Sequence, residues 1–440
     1  MHICRTWRRI VFAYRLALQL RLFCTHRTPV LKSLDCWPAA LPIVVKYGGS
    51  PELDPPALED ENNIIAALKR SDRVTSIGLT VTSTLLEKLS ALRVKRSFSK
   101  LEDLVLLSPN SLPYTLIKTF RLSPRLRRLH LTRIVVPALF QLRYSPRNLV
   151  DLRLHDVSYP HLISPRTLLD ALSWMGQLRS LSFHFPPTVT YHASPASPNQ
   201  LVLPALNRLN FQGIPEYLGD FMARIHAPHL EDIEITFFGI STLGLSTFSD
   251  FIDLIGMHNS PRRAHISSSH RAISMSLIKL GSPACIKLQV LCGLFSNQSP
   301  ILSRICDHFF ALLCDVEDLH LSATGQLRQE NRRDGRDEGI QWLESMASFT
   351  SVKRLHLEGN TGYSINILRA LQELDLEGEI VLPTLLKLYI SQPGPRHAPL
   401  REAVVSLMTS RRLFGRPIVV QYEQLHYISE PHETGTIYAH

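Results

Sequence analysis

The chain has 440 residues, is 45% hydrophobic and 20% charged, and carries a formal net charge of +10. Such a composition argues for an ordered, soluble protein, long enough for one repeat array or two to three compact domains, and no stretch approaches the roughly 18 consecutive apolar residues of a membrane span. The seven cysteines are odd in number with no C-x-x-C, which excludes a secreted disulfide scaffold and leads to the expectation of reduced thiols in the cytoplasm or nucleus.

From Met1 to Leu34 there are six arginines, one lysine and no acid. Arg5, Arg8, Arg9, Arg15 and Arg21 among apolar residues fit a mitochondrial transit peptide, which stands as one reading of this segment. A more specific reading rests on His2-Ile3-Cys4-Arg5-Thr6-Trp7-Arg8-Arg9-Ile10-Val11-Phe12-Ala13. This run resembles the last helix of an F-box, whose consensus ends in a Cys-Arg-x-Trp-Arg phrase and a short apolar tail. The stretch from Leu22 through Trp37-Pro38 to Tyr47 resembles the link segment of fungal F-box-like proteins with irregular leucine-rich repeats. Near the other end, Val404–Arg412 followed by Arg416–Tyr422 resembles the closing helix and strand of the same group. The resemblance implies a substrate-binding adaptor of an SCF-type ubiquitin ligase. An F-box opens with a Leu-Pro helix that helps grip the ligase linker subunit, whereas this sequence begins inside the last helix. The expectation is therefore a truncated F-box, with Cys4, Trp7 and Arg8 as its remnant. The alternative is a repeat scaffold with no ligase link.

Glu61–Arg70 reads as a helix leading into the first copy of a recurring phrase, L-x-x-L-x-L. The copies are Val74–Ile77–Leu79, Leu101–Leu104–Leu106, Leu126–Leu129–Leu131, Leu149–Leu152–Leu154, Leu178–Leu181–Phe183, Leu206–Leu209–Phe211 and Leu230–Ile233–Ile235. They continue as Cys285–Leu288–Val290, Val316–Leu319–Leu321, Val352–Leu355–Leu357 and Leu385–Leu388–Ile390, with a degenerate copy near Ala264–Ile266. Successive intervals from Val74 are 27, 25, 23, 29, 28 and 24 residues, against about 20–29 for leucine-rich repeats. Pro124, Pro204, Pro228, Pro283 and Pro383 each stand two residues before a first apolar position, where proline ends a helix and feeds a strand. Between copies, Ser164–Met175, Tyr217–His226, Phe248–His258, Ser299–Cys314 and Glu338–Phe349 have helical apolar spacing.

Strand, turn, helix and proline in this order predict an α/β fold, a leucine-rich-repeat solenoid of about 11–12 irregular repeats with a parallel sheet on its concave face. The organisation expected is an F-box remnant over 1–35, a cap and linker over 36–72, the solenoid over 73–392 and a C-terminal cap over 393–440. Polar insertions at Pro186–Gln200 and Ser322–Gly339 are expected to be exposed loops.

Side chains on a strand alternate, so residues flanking the buried leucines face outward. The outward positions chosen as partner contacts are Arg128, His130, Arg153, His155, Arg208, Asp232, Glu234, Lys287, His320, Arg354, His356, Glu358 and Tyr389. Basic and hydrogen-bonding side chains on one face suit an acidic or polar protein partner. The histidines show no spacing that would converge on a metal. No nucleophile elbow, Walker loop, dinucleotide fingerprint or zinc-protease motif is present, so a non-catalytic recognition protein without cofactor is expected. A third reading, a basic nucleic-acid-binding protein, rests on the net charge alone, since no basic run is interleaved with aromatics.

Overall fold

A computed structural model of the chain describes residues 19–47, 57–91, 98–112, 124–134, 146–156, 164–186, 200–238, 261–269, 271–279, 285–292, 299–324, 345–359, 361–372, 380–391 and 398–423. Cys4, Trp7 and Arg8, the helix expected at Phe248–His258, most of the one expected at Glu338–Phe349 and nearly all of the two polar insertions lie outside these residues. The chain divides into two compact units, Met1–Phe251 and Ile252–His440. Each is an open, mostly parallel sheet with helices.

In the first unit the strands are β1 (Leu20–Phe23), β2 (Ile43–Lys46), β3 (Val74–Thr80), β4 (Asp103–Leu112), β5 (Arg128–Ile134), β6 (Asp151–His155) and β7 (Ser180–His184). They are followed by β8 (Leu201–Val202), β9 (Arg208–Gly213), β10 (Ile225–His226) and β11 (Asp232–Phe238). Apart from a small β8–β10 pair, these strands stand side by side in chain order, all parallel. The helices are α1 (Val30–Cys36), α2 (Leu58–Leu68), α3 (Ser83–Ala91), α4 (Pro165–Leu172) and α5 (Pro215–Met222).

The leucine phrase explains the stacking. Its first apolar residue sits in the turn before a strand, and its second and third point inward from the strand. Leu129, Leu131, Leu152, Leu154, Leu181, Phe183, Leu209, Phe211, Ile233 and Ile235 are all buried. Each rung thus removes two or three large side chains from water, at about 1.5–3 kcal/mol apiece. In-register pairing carries the ladder from rung to rung, Leu129 opposite Leu152, Leu152 opposite Leu181 and Leu181 opposite Leu209. The turns repeat as well. The Glu102 carbonyl accepts from the amides of Arg127 and Arg128, that of Arg127 from Val150 and Asp151, and that of Val150 from Arg179 and Ser180. A further apolar centre forms where Phe183, Phe185, Phe211, Tyr217 and Phe221 meet, with ring centroids 4.6–6.3 Å apart.

Sheet pairing begins before the first leucine phrase, because β1 and β2 supply two more parallel rungs. Helix α2 secures them through two buried acids in its first turn, where the helix dipole favours negative charge. Asp60 accepts from the His26 and Ala57 amides and the Tyr47 hydroxyl, and Glu61 from Thr82, Thr84 and the Lys88 ammonium. Burial opposes ionisation of Glu61, yet the hydrogen bonds from Lys88, Thr84 and Thr82 carry its pKa below the ordinary carboxylate value.

Among the described residues the helices of the first unit fall where spacing placed them, with one shift. Ser164 caps α4 by accepting from the Thr167 amide, and Pro165 occupies the first turn, as N-cap and N1 preferences require. Helix α5 ends at Met222, and the last residues expected to be helical, Ile225 and His226, form β10 instead.

The second unit contains β12 (Arg263–Ser269), β13 (Ala272–Ile278), β14 (Cys285–Leu291), β15 (Asp318–Thr324), β16 (Arg354–Glu358), β17 (Lys387–Ser391) and β18 (Val419–Glu423). Its helices are α6 (Ser299–His308), α7 (Phe310–Leu313), α8 (Thr361–Ala370) and α9 (Ala398–Leu413). From β12 through β15, β16, β17 and β18 the pairing is parallel. The degenerate copy near Ala264 does become a strand, but the next rung is not a repeat of the expected kind. β12, β13 and β14 form an antiparallel meander, and β12 then pairs with β15. Two residues separate β12 from β13, whereas a parallel crossover needs a dozen or more. Ser269 closes the turn by accepting from the Ala272 amide. The alternation of AISMSLI, with Ile273, Met275 and Leu277 buried, marks the unforeseen strand. Ser322–Thr324, expected to open a loop, complete β15.

Candidate functional site

Opposite the buried leucines, each sheet presents polar residues in rows that cross the strands. In the first unit the row at the strand starts is Asp103, Arg128, Asp151, Ser180, Arg208 and Asp232, matched residue to residue by the register. The charges pair internally. Arg128 forks onto Asp103, with Nε–Oδ1 of 2.6 Å and Nη2–Oδ2 of 2.7 Å. Arg208 Nε meets Asp232 Oδ2 at 2.7 Å, and Arg153 Nη2 reaches Asp151 Oδ2 on its own strand at 3.0 Å. These pairs lie at the surface, so each contributes at most about 1 kcal/mol.

The next residues inward form a hydrogen-bonded chain over five strands. Its contacts are Thr132 Oγ1–His130 Nε2 at 3.2 Å, His130 Nε2–His155 Nδ1 at 3.3 Å and His155 Nε2–Ser182 Oγ at 3.0 Å. It continues as Ser182 Oγ–His184 Nε2 at 3.3 Å, His184 Nε2–Asn210 Oδ1 at 3.0 Å and Asn210 Nδ2–Glu234 Oε2 at 3.3 Å. The ends assign the protons. Asn210 Oδ1 can only accept, so His184 carries its proton on Nε2, while Ser182 can donate to His155 Nε2 and His155 Nδ1–H to His130 Nε2. All three rings are then neutral. The rings of His155 and His184 stack at 3.9 Å with 2° between planes, and His130 meets His155 edge-on at 4.7 Å.

Electrostatics agree with that assignment. Burial and the neighbouring Arg153 push His130 down to about 4. Burial, His184, His130 and Arg153 push His155 down to about 2, and burial lowers His184 although its Asn210 bond opposes the shift. A histidine so hard to protonate is a weak base. The Ser182–His155 contact is one link of this neutral hydrogen-bonded chain.

The second unit has its own rows. Arg263, Asp318, Arg354 and Lys387 lie at the strand starts, and His265, His320, His356 and Tyr389 lie one step along. Arg354 forks onto Asp318, with Nη2–Oδ2 of 2.7 Å and a close Nε–Oδ1 contact, while Arg263 approaches the same carboxylate at 3.8 Å. His320 stacks on His356 at 4.0 Å and His356 on Tyr389 at 4.3 Å, with planes within 8° of parallel. His265 turns edge-on to His320 at 6.3 Å and bonds Ser322 Oγ at 3.0 Å. Burial, His356, His265 and Arg263 push His320 down to about 4.

The residues chosen from the sequence therefore fall into two sets. Arg128, His130, Arg153, His155, Arg208, Asp232 and Glu234 share the open face of the first unit, with each arginine paired to an aspartate and the rest, Asp232 apart, in or beside the histidine chain. His320, Arg354, His356 and Tyr389 come together on the second. Glu358 stands exposed at the far end of β16, and Lys287 lies on β14 opposite Ser276, away from the other cations. Asp103 and Asp151, the counter-charges of Arg128 and Arg153, were not among the residues chosen. Their signal was available: each immediately precedes the second leucine of its phrase, the position Arg128 and Arg208 occupy in other copies. Arg263, equivalent to Arg354 in the register, was hidden by the degenerate copy. Among the described residues no group of three or more His, Cys, Asp or Glu is placed to hold a metal ion, because stacked rings carry their nitrogens side by side instead of toward one point. No helix among them is long and apolar enough to cross a membrane. In comparisons with known proteins, no family model and no curated protein matches the chain.

Proposed function

We propose that the chain is a leucine-rich-repeat recognition protein that binds a protein partner on the open faces of its sheets. The observation that carries this reading is the sidedness of the rungs. In β5, β6, β7, β9, β15, β16 and β17 one set of alternate residues is sealed in the core, while the other contributes to register-matched rows rich in Arg, Asp and His, preorganised by ion pairs and stacked rings. Preorganised side chains bind with less loss of rotamer freedom than mobile ones, and stacked repeats offer extended surfaces of this kind. The resemblance of residues 2–13 to an F-box helix supports the further proposal that the partner is a substrate presented to an SCF-type ubiquitin ligase.

Two measurements test these proposals separately. Affinity capture on the ligase linker subunit should retain the protein; absence of binding removes the adaptor role and leaves a recognition scaffold. Partners identified by crosslinking should lose affinity when Arg128→Glu and Arg354→Glu are combined. Unchanged partner binding by that double variant would remove the sheet faces as the recognition surface.

A further inference from the structure

The two faces differ in how completely they neutralise themselves. From β4 to β11 of the first unit each arginine of the face has its own aspartate, Arg128 with Asp103, Arg153 with Asp151 and Arg208 with Asp232. In the second unit the row at the strand starts reads Arg263, Asp318, Arg354, Lys387 and Val419. One carboxylate, its side chain only 5% exposed, serves both arginines. Lys387 is directly opposite Arg354 on one side and Val419 on the other, and it has no acidic partner among the described residues. Like charges opposite each other on adjacent strands are destabilising. An external anion at this point would relieve that repulsion.

The surroundings narrow the kind of anion. The fork of Arg354 is already engaged by Asp318, so the position offers a half-exposed guanidinium edge and a lysine point charge rather than a free bidentate cradle for phosphate. Glu358 projects from the other end of β16, which opposes a long polyanion lying along the strands. Between the two charged ends, the His320, His356 and Tyr389 rings stand in a stack. Their edges offer hydrogen bonds to a polypeptide with its acidic residue at one end of the contact.

We propose that the second unit holds a carboxylate subsite at Arg354 and Lys387, which anchors an Asp or Glu side chain of a partner polypeptide beside the His320–His356–Tyr389 stack. This rests on the recognition reading above and names the chemistry of its partner.

The test uses the full chain and a short fluorescein-labelled peptide rich in Asp and Gly, with its Asn counterpart as control, followed by anisotropy. The Asp peptide should bind in a salt-sensitive manner and the Asn peptide should not. Lys387→Gln should weaken binding about threefold and Lys387→Glu about tenfold or more, as removal and reversal of one half-screened charge imply. Arg166→Glu, on the exposed side of α4 in the first unit, should leave it unchanged. The Lys387 side chain is exposed and its like-charge repulsion with Arg354 opposite is removed in both variants, so neither should unfold at a lower temperature than the parent. Equal binding of the Asp peptide by parent and Lys387→Glu would overturn the subsite, as would tighter, Lys387-dependent binding of a phosphoserine peptide or a single-stranded RNA. If the crosslinked partner still binds through the sheet faces while Lys387→Glu has no effect on the Asp peptide, the subsite fails and the recognition reading stands. Loss of both removes both.

Discussion

The neutral histidine chain on the first unit makes stability depend on pH in a defined direction. In the unfolded chain His130 and His155 titrate near 6.5, whereas in the folded protein they are held down to about 4 and about 2. Above about pH 6.5 both states are neutral at these rings and no stability is at stake. As pH falls below 6.5 the unfolded chain takes up protons that the folded chain refuses, so stability falls until the folded pKa values are reached. At about pH 5 the gap below 6.5 is about 1.5 units, or about 2 kcal/mol per ring and about 4 kcal/mol for the two. The physical source is the loss of solvent around the rings together with their mutual contact and the nearby Arg153, so the perturbation to make is His155→Gln, which keeps a hydrogen-bonding side chain and removes the titration. Urea denaturation of parent and variant near pH 7 and near pH 5 supplies the comparison. The parent should lose more stability on acidification, by about 2 kcal/mol, than His155→Gln does. Imidazole resonances of selectively labelled protein report the same property directly. If the His155 resonance titrates near 6.5 in the folded protein, or if the variant has the same pH dependence as the parent, the neutral chain is refuted.

Three other outcomes follow from the packing. Gly359 has φ of +146°, and a Cβ there would lie 3.2 Å from the backbone of Ala323 on the neighbouring strand; Gly359→Ala should cost about 1–3 kcal/mol in denaturant unfolding, and an unchanged midpoint would refute the strain. Phe183 is sealed among Phe185, Phe211, Tyr217 and Phe221, so Phe183→Ala should lose about 3–5 kcal/mol while Phe183→Leu loses less. Equal losses would mean that the site does not depend on the volume of the ring. Arg411 is 1% exposed and donates to the carbonyls of Val381 and Leu382, holding a turn in which Leu382 has φ of +50°. Arg411→Met should destabilise by about 3 kcal/mol, since two buried carbonyls lose their partner, and should speed proteolysis at that turn; an unchanged cleavage rate would show the turn stands without it.

How much of this was legible beforehand depended on range. The leucine phrase encodes which residues turn inward, because strand alternation is local and a two-residue period leaves no choice of face. Leu129 and Leu131 therefore announced a buried edge, and Arg128 and His130 an outward one, before any rung was stacked. The start of α4 at Ser164-Pro165 was equally local. The antiparallel turn at Ser269 is also encoded locally, in the alternation of Ala272–Ile278, but that signal has a period of two and is not carried by the longer leucine spacing.

By itself the sequence determined the strands that carry the leucine phrase, their buried faces and the residue types offered to solvent, since these follow from local alternation, capping and proline geometry. Only the tertiary structure decided which outward residues became neighbours. Asp103 reaches Arg128 across 25 positions of chain, and His155 reaches His184 across 29, through a register set by the stacking of whole rungs. That register pairs Arg128 and Arg208 with aspartates of neighbouring strands while leaving Lys387 opposite Arg354 on the second face. Charge pairing and imidazole proton affinity depend on distances of a few ångströms between separate strands, and a linear pattern of residue types does not specify those distances.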